Sequence, residues 1–181
     1  LLDELVLALP GVDVIEGYGL TECPVITLNP RGRNKLGTIG PALPGFECKV
    51  IDSDGNILPQ GEAGELVVRS ECNALGYYNR PDAQAERFRD GWVYTADIVA
   101  CDPDGWFTFC GRVDDQMQVG GENVFPAEVE NILATHPEVR DVSVVAIPHE
   151  VKGQVPVAFV VRNVGSKLGE KELIDYYMTR G

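Results

Sequence analysis

Residues 16–22, with the sequence Glu-Gly-Tyr-Gly-Leu-Thr-Glu, combine side chains that could bind a nucleotide. The glycines on either side of Tyr18 keep the backbone open around an aromatic ring that could stack on a flat ligand. Thr21 offers a hydroxyl to a phosphate group, and Glu22 offers a hard oxygen ligand to Mg²⁺. The same residues also suit a turn with a packed tyrosine and a solvated carboxylate. Short glycine-rich strings are weak signals, so this stretch alone leaves both interpretations open.

Asp97 is a second candidate, because it lies late in a predicted strand whose neighbouring residues are apolar. A carboxylate in such a position can cap a turn, or it can accept hydrogen bonds from the paired hydroxyls of a ribose. The sequence around Asp97 therefore marks the residue without choosing between a structural role and a ligand-binding role.

A polar, charged segment at residues 111–116, Gly-Arg-Val-Asp-Asp-Gln, separates two differently patterned parts of the chain. Such a segment is typical of a boundary between domains. The pair Gly120-Gly121 that follows can adopt positive φ or let a ligand approach the backbone closely, where a side chain would hinder both. A β-hairpin turn within a single domain explains the same glycines equally well.

Hydrophobic periodicity predicts the elements that position these residues. The first ten residues have apolar side chains at helical spacing, and Val12–Ile15 is typical of a short strand. Residues 36–110 predict short strands divided by turns, and therefore a small antiparallel barrel or distorted sheet with its tryptophans and phenylalanines in the core. A short helix at Pro81–Phe88 interrupts them, with Asn79 or Asp82 available as its cap.

Beyond the polar segment, the pattern changes to a helix, two apolar strands and a second helix. The helix over residues 126–136 has Pro126 in its first turn, and the strands cover residues 139–148 and 155–162. The last helix opens at Glu170. This order predicts a compact α+β unit.

Composition excludes several classes of function. The net charge of −13 over 181 residues argues against nucleic-acid binding, which depends on Lys and Arg replacing counterions. A small anionic ligand needs only a local site, so it stays compatible with this charge. No apolar run is long enough to span a bilayer. The five cysteines include no CxxC pair and have no histidine at zinc-ligand spacing, which favours free thiols in a reducing cytoplasm.

Four signatures follow one another in a fixed order: Gly17–Glu22; Gly64–Arg69 with Gly76-Tyr77; Tyr94–Asp97; and Gly111–Asp115 with Gly120–Asn123 and Glu128–Glu130. In this order they resemble the adenylate-forming superfamily of acyl-CoA and aryl-CoA ligases, adenylation domains and luciferases. The resemblance covers nearly all 181 residues. It implies an α+β fold in which residues 1–112 form the end of a large N-terminal domain with a small distorted β-barrel. A hinge and a small, mobile α+β C-terminal domain would follow at residues 113–181.

The resemblance also implies which residues bind the nucleotide. Tyr18, with Gly19 beside it, would stack on the adenine of ATP or AMP. Thr21 would bond the α-phosphate, and Glu22 would bind Mg²⁺. These roles agree with the chemistry of the residue types, and they favour a ligand site over a simple turn.

The same resemblance assigns roles around and beyond the polar segment. Asp97 would accept the ribose hydroxyls, and Arg112 would help to hold the ribose. Asp114 would be the hinge about which the C-terminal domain rotates between two half-reactions. Gly120 and Gly121 would leave room beside the adenylate for the pantetheine arm of CoA.

The implied reaction joins a carboxylic acid, fatty or aromatic, to CoA through an acyl-adenylate, and self-association into a homo-oligomer stays open. Within the superfamily, an adenylation domain of a peptide synthetase is the alternative, since it would load a carrier-protein thiol. A non-catalytic nucleotide-binding module is the alternative from another class. The acid itself is not determined, because the resemblance implies that the residues of the acyl pocket lie mostly upstream of Leu1.

Three departures from the superfamily pattern stand out. Ala96 occupies the usual glycine position of Tyr-Thr-Gly-Asp, which would cost about 1 kcal/mol if that position needs positive φ. The phosphate loop with its lysine is missing, and so is the late lysine that supports adenylate formation, because Lys167 and Lys171 stand too early. We therefore expect the 181 residues to be part of a longer polypeptide and to be inactive alone.

Overall fold

The computed structural model describes residues 2–180 and divides into two compact units. The first unit ends at Phe109 and the second begins at Cys110. The domain boundary between residues 112 and 113 stays a prediction. Within the described residues, no helix combines the length and the apolar character that crossing a membrane requires.

The first unit is built mainly from an antiparallel sheet. Its elements are α1 (Leu2–Ala8), β1 (Gly17–Tyr18), β2 (Thr27–Leu28), β3 (Gly40–Pro41), β4 (Glu47–Ile51), β5 (Ala63–Arg69), α2 (Pro81–Arg87), β6 (Phe88–Arg89), β7 (Trp92–Cys101) and β8 (Trp106–Arg112). Residues 110–112, at the end of β8, already belong to the second unit. The main sheet has the order β3-β8-β7-β5-β4, with β6 paired to β7. It curls into half a barrel, which confirms the predicted distorted, barrel-like sheet. β1 and β2 form a separate hairpin.

The core of this unit anchors the hairpin to the sheet. Cys23 and Ile26, in the loop between β1 and β2, have no exposed surface and pack in one cluster with residues from β5, β7 and β8. Leu66, Val99 and Phe107 are buried members of this cluster from those three strands. Because burial of an apolar side chain contributes about 1.5–3 kcal/mol, the loop between β1 and β2 is held against the sheet.

The second unit is the predicted α+β assembly. It contains a single 3₁₀ turn (Val113–Asp115), β9 (Met117–Val119), β10 (Glu122–Val124), α3 (Pro126–Ala134), β11 (Val139–His149), β12 (Gly153–Arg162) and α4 (Glu170–Met178). The four strands form an antiparallel sheet of order β10-β9-β12-β11. Val129 and Leu133 of α3 and Leu173 of α4 share a buried cluster with Met117 and Val144 of the sheet.

Two local predictions are wrong. Val12–Ile15 is not a strand: no described strand pairs with it, Val12 is 56% exposed, and the Asn34 side-chain amide donates to the Val14 carbonyl at 2.9 Å. α2 has Arg80 as its N-cap and no capping side chain, because Pro81 at the first helical position makes the preceding residue the cap.

The aromatic residues of β7 and β8 are not uniformly core residues as predicted. Phe107 is 5% exposed, but Phe109 is 36% exposed. Trp92 is half-buried, with Lys49 and Arg69 over its ring at 4.1 and 4.7 Å from the ring centroid. A period-two strand places alternate side chains on opposite faces of the sheet, so residues 107 and 109 would share a face in a regular strand. Their unequal exposure therefore depends on which neighbours cover each end of that face.

Candidate nucleotide-binding site

Glycines 17 and 19 allow the hairpin to close tightly around Tyr18. Gly17 pairs with Leu28 and Tyr18 with Thr27 across the two strands. A Cβ at Gly19 would lie 1.9 Å from the Pro24 carbonyl oxygen, so no other residue fits there without movement of the backbone. The glycines beside Tyr18 thus allow close packing against the opposite segment of the hairpin. The sequence predicted only that they keep the backbone open around the ring.

The hydroxyl of Tyr18 donates a hydrogen bond of 2.6 Å to Oδ2 of Asp97. The two residues are 79 positions apart in sequence. Asp97 is 4% exposed in the middle of β7, whereas Tyr18 is half-buried at the end of β1. The structure therefore brings two of the predicted ligand-binding residues into direct contact.

An unusual stretch of β7 presents Asp97. Glu65 pairs with Ile98 and Val67 pairs with Tyr94, so Thr95, Ala96 and Asp97 together lie opposite the one residue Leu66. Such a bulge re-aims side chains and often occurs beside functional sites.

Hydrogen bonds satisfy the backbone of this bulge. The Thr95 hydroxyl donates to the Leu66 carbonyl at 2.8 Å and accepts from the Asp97 amide at 3.1 Å. The Ala96 amide donates to Oε1 of Glu65 at 2.9 Å. Ala96 has φ of +56°, the left-handed conformation in which alanine replaces the usual glycine. Residue 96 therefore does need positive φ, the condition under which alanine in place of glycine costs about 1 kcal/mol.

Thr21 and Glu22 lie in the loop between β1 and β2. Thr21 is exposed and Glu22 is half-buried. The carbonyl oxygen of Glu22 accepts a 2.7 Å hydrogen bond from the Ala74 amide, and its Oε1 accepts one from the Tyr77 hydroxyl. Tyr77 belongs to the Gly76-Tyr77 part of the second signature, but the resemblance assigned it no role. Its position directly after a glycine is the only sequence signal for it, and the structure gives that glycine a φ of +140°.

Glu22 offers a single carboxylate, which suits a magnesium ion only if the phosphates of a nucleotide supply further ligands. No group of three or more His, Cys, Asp or Glu side chains that could hold a metal occurs among the described residues. Mg²⁺ commonly binds to one or two carboxylates and completes its shell with water and substrate phosphates. A single carboxylate such as Glu22 fits that arrangement.

Arg112 and Asp114 belong to the second unit as divided above. Arg112 is the last residue of β8 and is exposed, and Asp114 is exposed in the 3₁₀ turn. Their roles at a ribose and as a hinge stay predictions.

Gly120 and Gly121 form the two-residue turn that joins β9 to β10. Glu122 pairs with Val119 across it, and both glycines have positive φ, +63° and +93°. Two-residue hairpin loops favour such residues because the type I′ turn needs positive φ at both positions. A Cβ at either glycine would meet no atom within 4 Å, so backbone conformation explains the pair within this unit. A role towards CoA stays a prediction.

Two family models match the chain. The model for AMP-binding enzymes matches residues 1–78, which include Tyr18, Thr21 and Glu22. The model for the C-terminal domain of AMP-binding enzymes matches residues 128–180. The chain belongs to the AMP-binding enzyme family. This membership agrees with the resemblance carried by the four signatures.

Individual members of the family are similar over nearly the whole chain. A long-chain-fatty-acid–CoA ligase of Yersinia pestis is 41% identical over 91% of this chain and 30% of its own length. The luciferin 4-monooxygenase of Photinus pyralis is 40% identical over 93% and 31%. ATP-bound MatB from Rhodopseudomonas palustris superposes with a TM-score of 0.89 at 34% identity, over 96% of this chain and 35% of that one. The chain thus spans about 30% of the length of the curated relatives.

Proposed function

We propose that this chain contributes part of the nucleotide site of an ATP-dependent acid–CoA ligase. The hydrogen bond from Tyr18 to Asp97 carries the proposal, because it joins a ring suited to adenine with a carboxylate suited to ribose. Thr21 and Glu22 follow Tyr18 in the loop after β1, and the proposal assigns them to the phosphates and the Mg²⁺ of the nucleotide. The similarity to a long-chain-fatty-acid–CoA ligase supports an acid and CoA as the other substrates.

The first half-reaction activates the acid. A carboxylate oxygen attacks the α-phosphorus of ATP, and pyrophosphate leaves with the electron pair of the broken P–O bond. Tyr18 stacks on adenine, Asp97 accepts hydrogen bonds from the ribose, and Thr21 donates one to the α-phosphate. Glu22 would hold Mg²⁺, which supplies neutralisation of the phosphate charge. Most of the rate enhancement of such a step comes from positioning and electrostatic stabilisation.

The second half-reaction transfers the acyl group. The thiolate of CoA attacks the acyl carbon of the adenylate, and AMP leaves with the electron pair of the broken C–O bond. In this proposal Arg112 helps to hold the ribose, Asp114 serves as the hinge, and the Gly120-Gly121 turn accommodates the pantetheine arm. We place the enzyme in the cytoplasm, since all five cysteines are free thiols.

An acceptor assay on the native full-length polypeptide tests this function. The polypeptide is incubated with MgATP, CoA and a panel of fatty and aromatic acids, and AMP and acyl-CoA are measured by mass spectrometry. We expect AMP formation to require an acid and to match acyl-CoA in amount. Asp97→Asn should reduce both products, while Asp104→Asn, at an exposed turn, should leave them unchanged.

Two other outcomes would redirect the assignment. An adenylate that forms without transfer to CoA would favour a peptide-synthetase domain with a carrier-protein acceptor. ATP binding without any acid-dependent AMP formation would favour a non-catalytic nucleotide-binding module. Either result would refute the ligase proposal.

A further inference from the structure

Tyr77 makes three contacts within the first unit, through its backbone amide, its ring and its hydroxyl. Its backbone amide donates to Oε1 of Gln84 at 2.8 Å. Its ring meets the ring of Phe88 edge-on, with 5.5 Å between the ring centroids. Its hydroxyl donates to Oε1 of Glu22, 55 residues away in sequence. The phenol therefore has a defined direction, set by contacts other than the bond to Glu22.

Glu22 is fixed by the same segment at a second point. The Ala74 amide donates to the Glu22 carbonyl oxygen, so the loop before Tyr77 holds both the backbone and the side chain of Glu22. Over residues 2–180, hydrogen bonds engage the carboxylate only at Oε1. The second oxygen, Oε2, is the one left for a ligand.

We propose that Tyr77 is a positioning residue that makes Glu22 offer a single oxygen, Oε2, to the Mg²⁺ of MgATP. This inference rests on the proposed function, in which Glu22 is a ligand of that ion. Mg²⁺ takes near-octahedral oxygen ligands at about 2.0–2.1 Å, whereas the larger Ca²⁺ often takes both oxygens of one carboxylate. A phenol on Oε1 occupies one of the acceptor positions of that oxygen, which disfavours two-oxygen binding and restricts rotation of the carboxylate.

Tyr78 provides a matched control on the same backbone, since its side chain is 92% exposed.

The test compares metal-dependent with metal-free nucleotide binding in the native full-length polypeptide. Binding of Mn²⁺–ATP is followed by electron paramagnetic resonance, with Mn²⁺ as the probe for Mg²⁺, and binding of ATP in EDTA is followed by calorimetry. We expect Tyr77→Phe to weaken Mn²⁺–ATP binding by about three- to tenfold, because it removes one hydrogen bond to a carboxylate. In the same variant, the affinity for metal-free ATP should change by less than about twofold. Tyr78→Phe should change the affinity for Mn²⁺–ATP by less than about twofold.

A second measurement concerns the choice of metal. With Oε1 released, Glu22 can offer both oxygens, so Tyr77→Phe should raise the affinity for Ca²⁺–ATP relative to Mg²⁺–ATP. The ring of Tyr77 keeps its contact with Phe88 in this variant, and an unchanged thermal midpoint confirms the fold. An equal loss with and without metal, or no loss in either, would overturn the positioning role.

Glu22→Gln separates this inference from the proposed function. If Glu22→Gln abolishes the advantage of metal-bound over metal-free ATP while Tyr77→Phe does not reduce it, only the role of Tyr77 fails. If Glu22→Gln keeps that advantage, Glu22 is not a metal ligand, so the role of Tyr77 and the metal role of Glu22 both fail, while the ligase function is still decided by the AMP and acyl-CoA assay.

Discussion

Replacing Gly19 with alanine tests whether the hairpin that carries Tyr18 depends on close contact between backbones. A Cβ at residue 19 would lie 1.9 Å from the Pro24 carbonyl oxygen, while ordinary contact begins at 3.4 Å, so the two segments must separate by about 1.5 Å. Gly17 is the matched control. A Cβ there would lie 2.7 Å from Cδ1 of Leu28, the end of a flexible side chain that can rotate away, and 3.1 Å from the Thr27 carbonyl oxygen, which needs to shift by only a few tenths of an ångström.

Two opposing contributions set the expected change in the free energy of unfolding. Forcing extra volume into a packed site costs about 1–3 kcal/mol, and the upper end applies at Gly19 because the obstructing atom is backbone. Alanine also lowers the entropy of the unfolded chain, which returns about 0.4–1 kcal/mol. We therefore expect Gly19→Ala to lower the free energy of unfolding by about 2 kcal/mol and Gly17→Ala to change it by less than about 1 kcal/mol.

The assay combines thermal unfolding of the native polypeptide with calorimetric titration of ATP. Gly19→Ala should lower the unfolding midpoint and, under the proposed function, weaken ATP binding by about tenfold or more, because Tyr18 and Glu22 move with the loop. Gly17→Ala should leave the ATP affinity within about threefold of the parent value. Equal effects of the two substitutions, or a Gly19→Ala variant as stable as the parent, would refute the reasoning from the Pro24 contact.

Three further predictions concern the site, the second unit and the cysteines. Asp97→Ala should weaken ATP binding by about tenfold or more in the same titration, since it removes a charged hydrogen-bond partner; an unchanged affinity would exclude the ribose role. Met117→Ala should cost about 2–5 kcal/mol in urea unfolding because Met117 is 1% exposed, whereas Met178→Ala, at 71% exposure, should cost less than about 0.5 kcal/mol. Equal costs would show that the second unit is not packed as described. Burial raises the pKa of the Cys48 thiol from 9.0 to about 12, so alkylation at pH 9 should label the exposed Cys72 first, as read by mass spectrometry. Since the folded-state pKa is raised, the stability contributed by Cys48 should be complete below pH 9 and decline between pH 9 and 12.

Local elements were largely predictable from the sequence. The helices α3 and α4 follow from apolar residues at helical spacing, proline marks the starts of α2 and α3, and the long strands follow from β-branched runs. These signals are local, because a helix or a strand repeats its side-chain directions every few residues. The strand predicted at Val12–Ile15 failed because a strand also needs a partner, and none of the described strands supplies one.

By itself, the sequence determined the residue types of the site and the order of its signatures, since ring, hydroxyl and carboxylate chemistry belong to the residues themselves. Only the tertiary structure decided which of them meet. The Tyr18–Asp97 bond spans 79 residues, and the Glu22–Tyr77 bond spans 55. Both depend on how the β1–β2 loop packs on the sheet and on the bulge that turns Asp97 in β7. Contacts between residues so far apart follow from the packing and register of the whole unit, which no local pattern in the chain encodes.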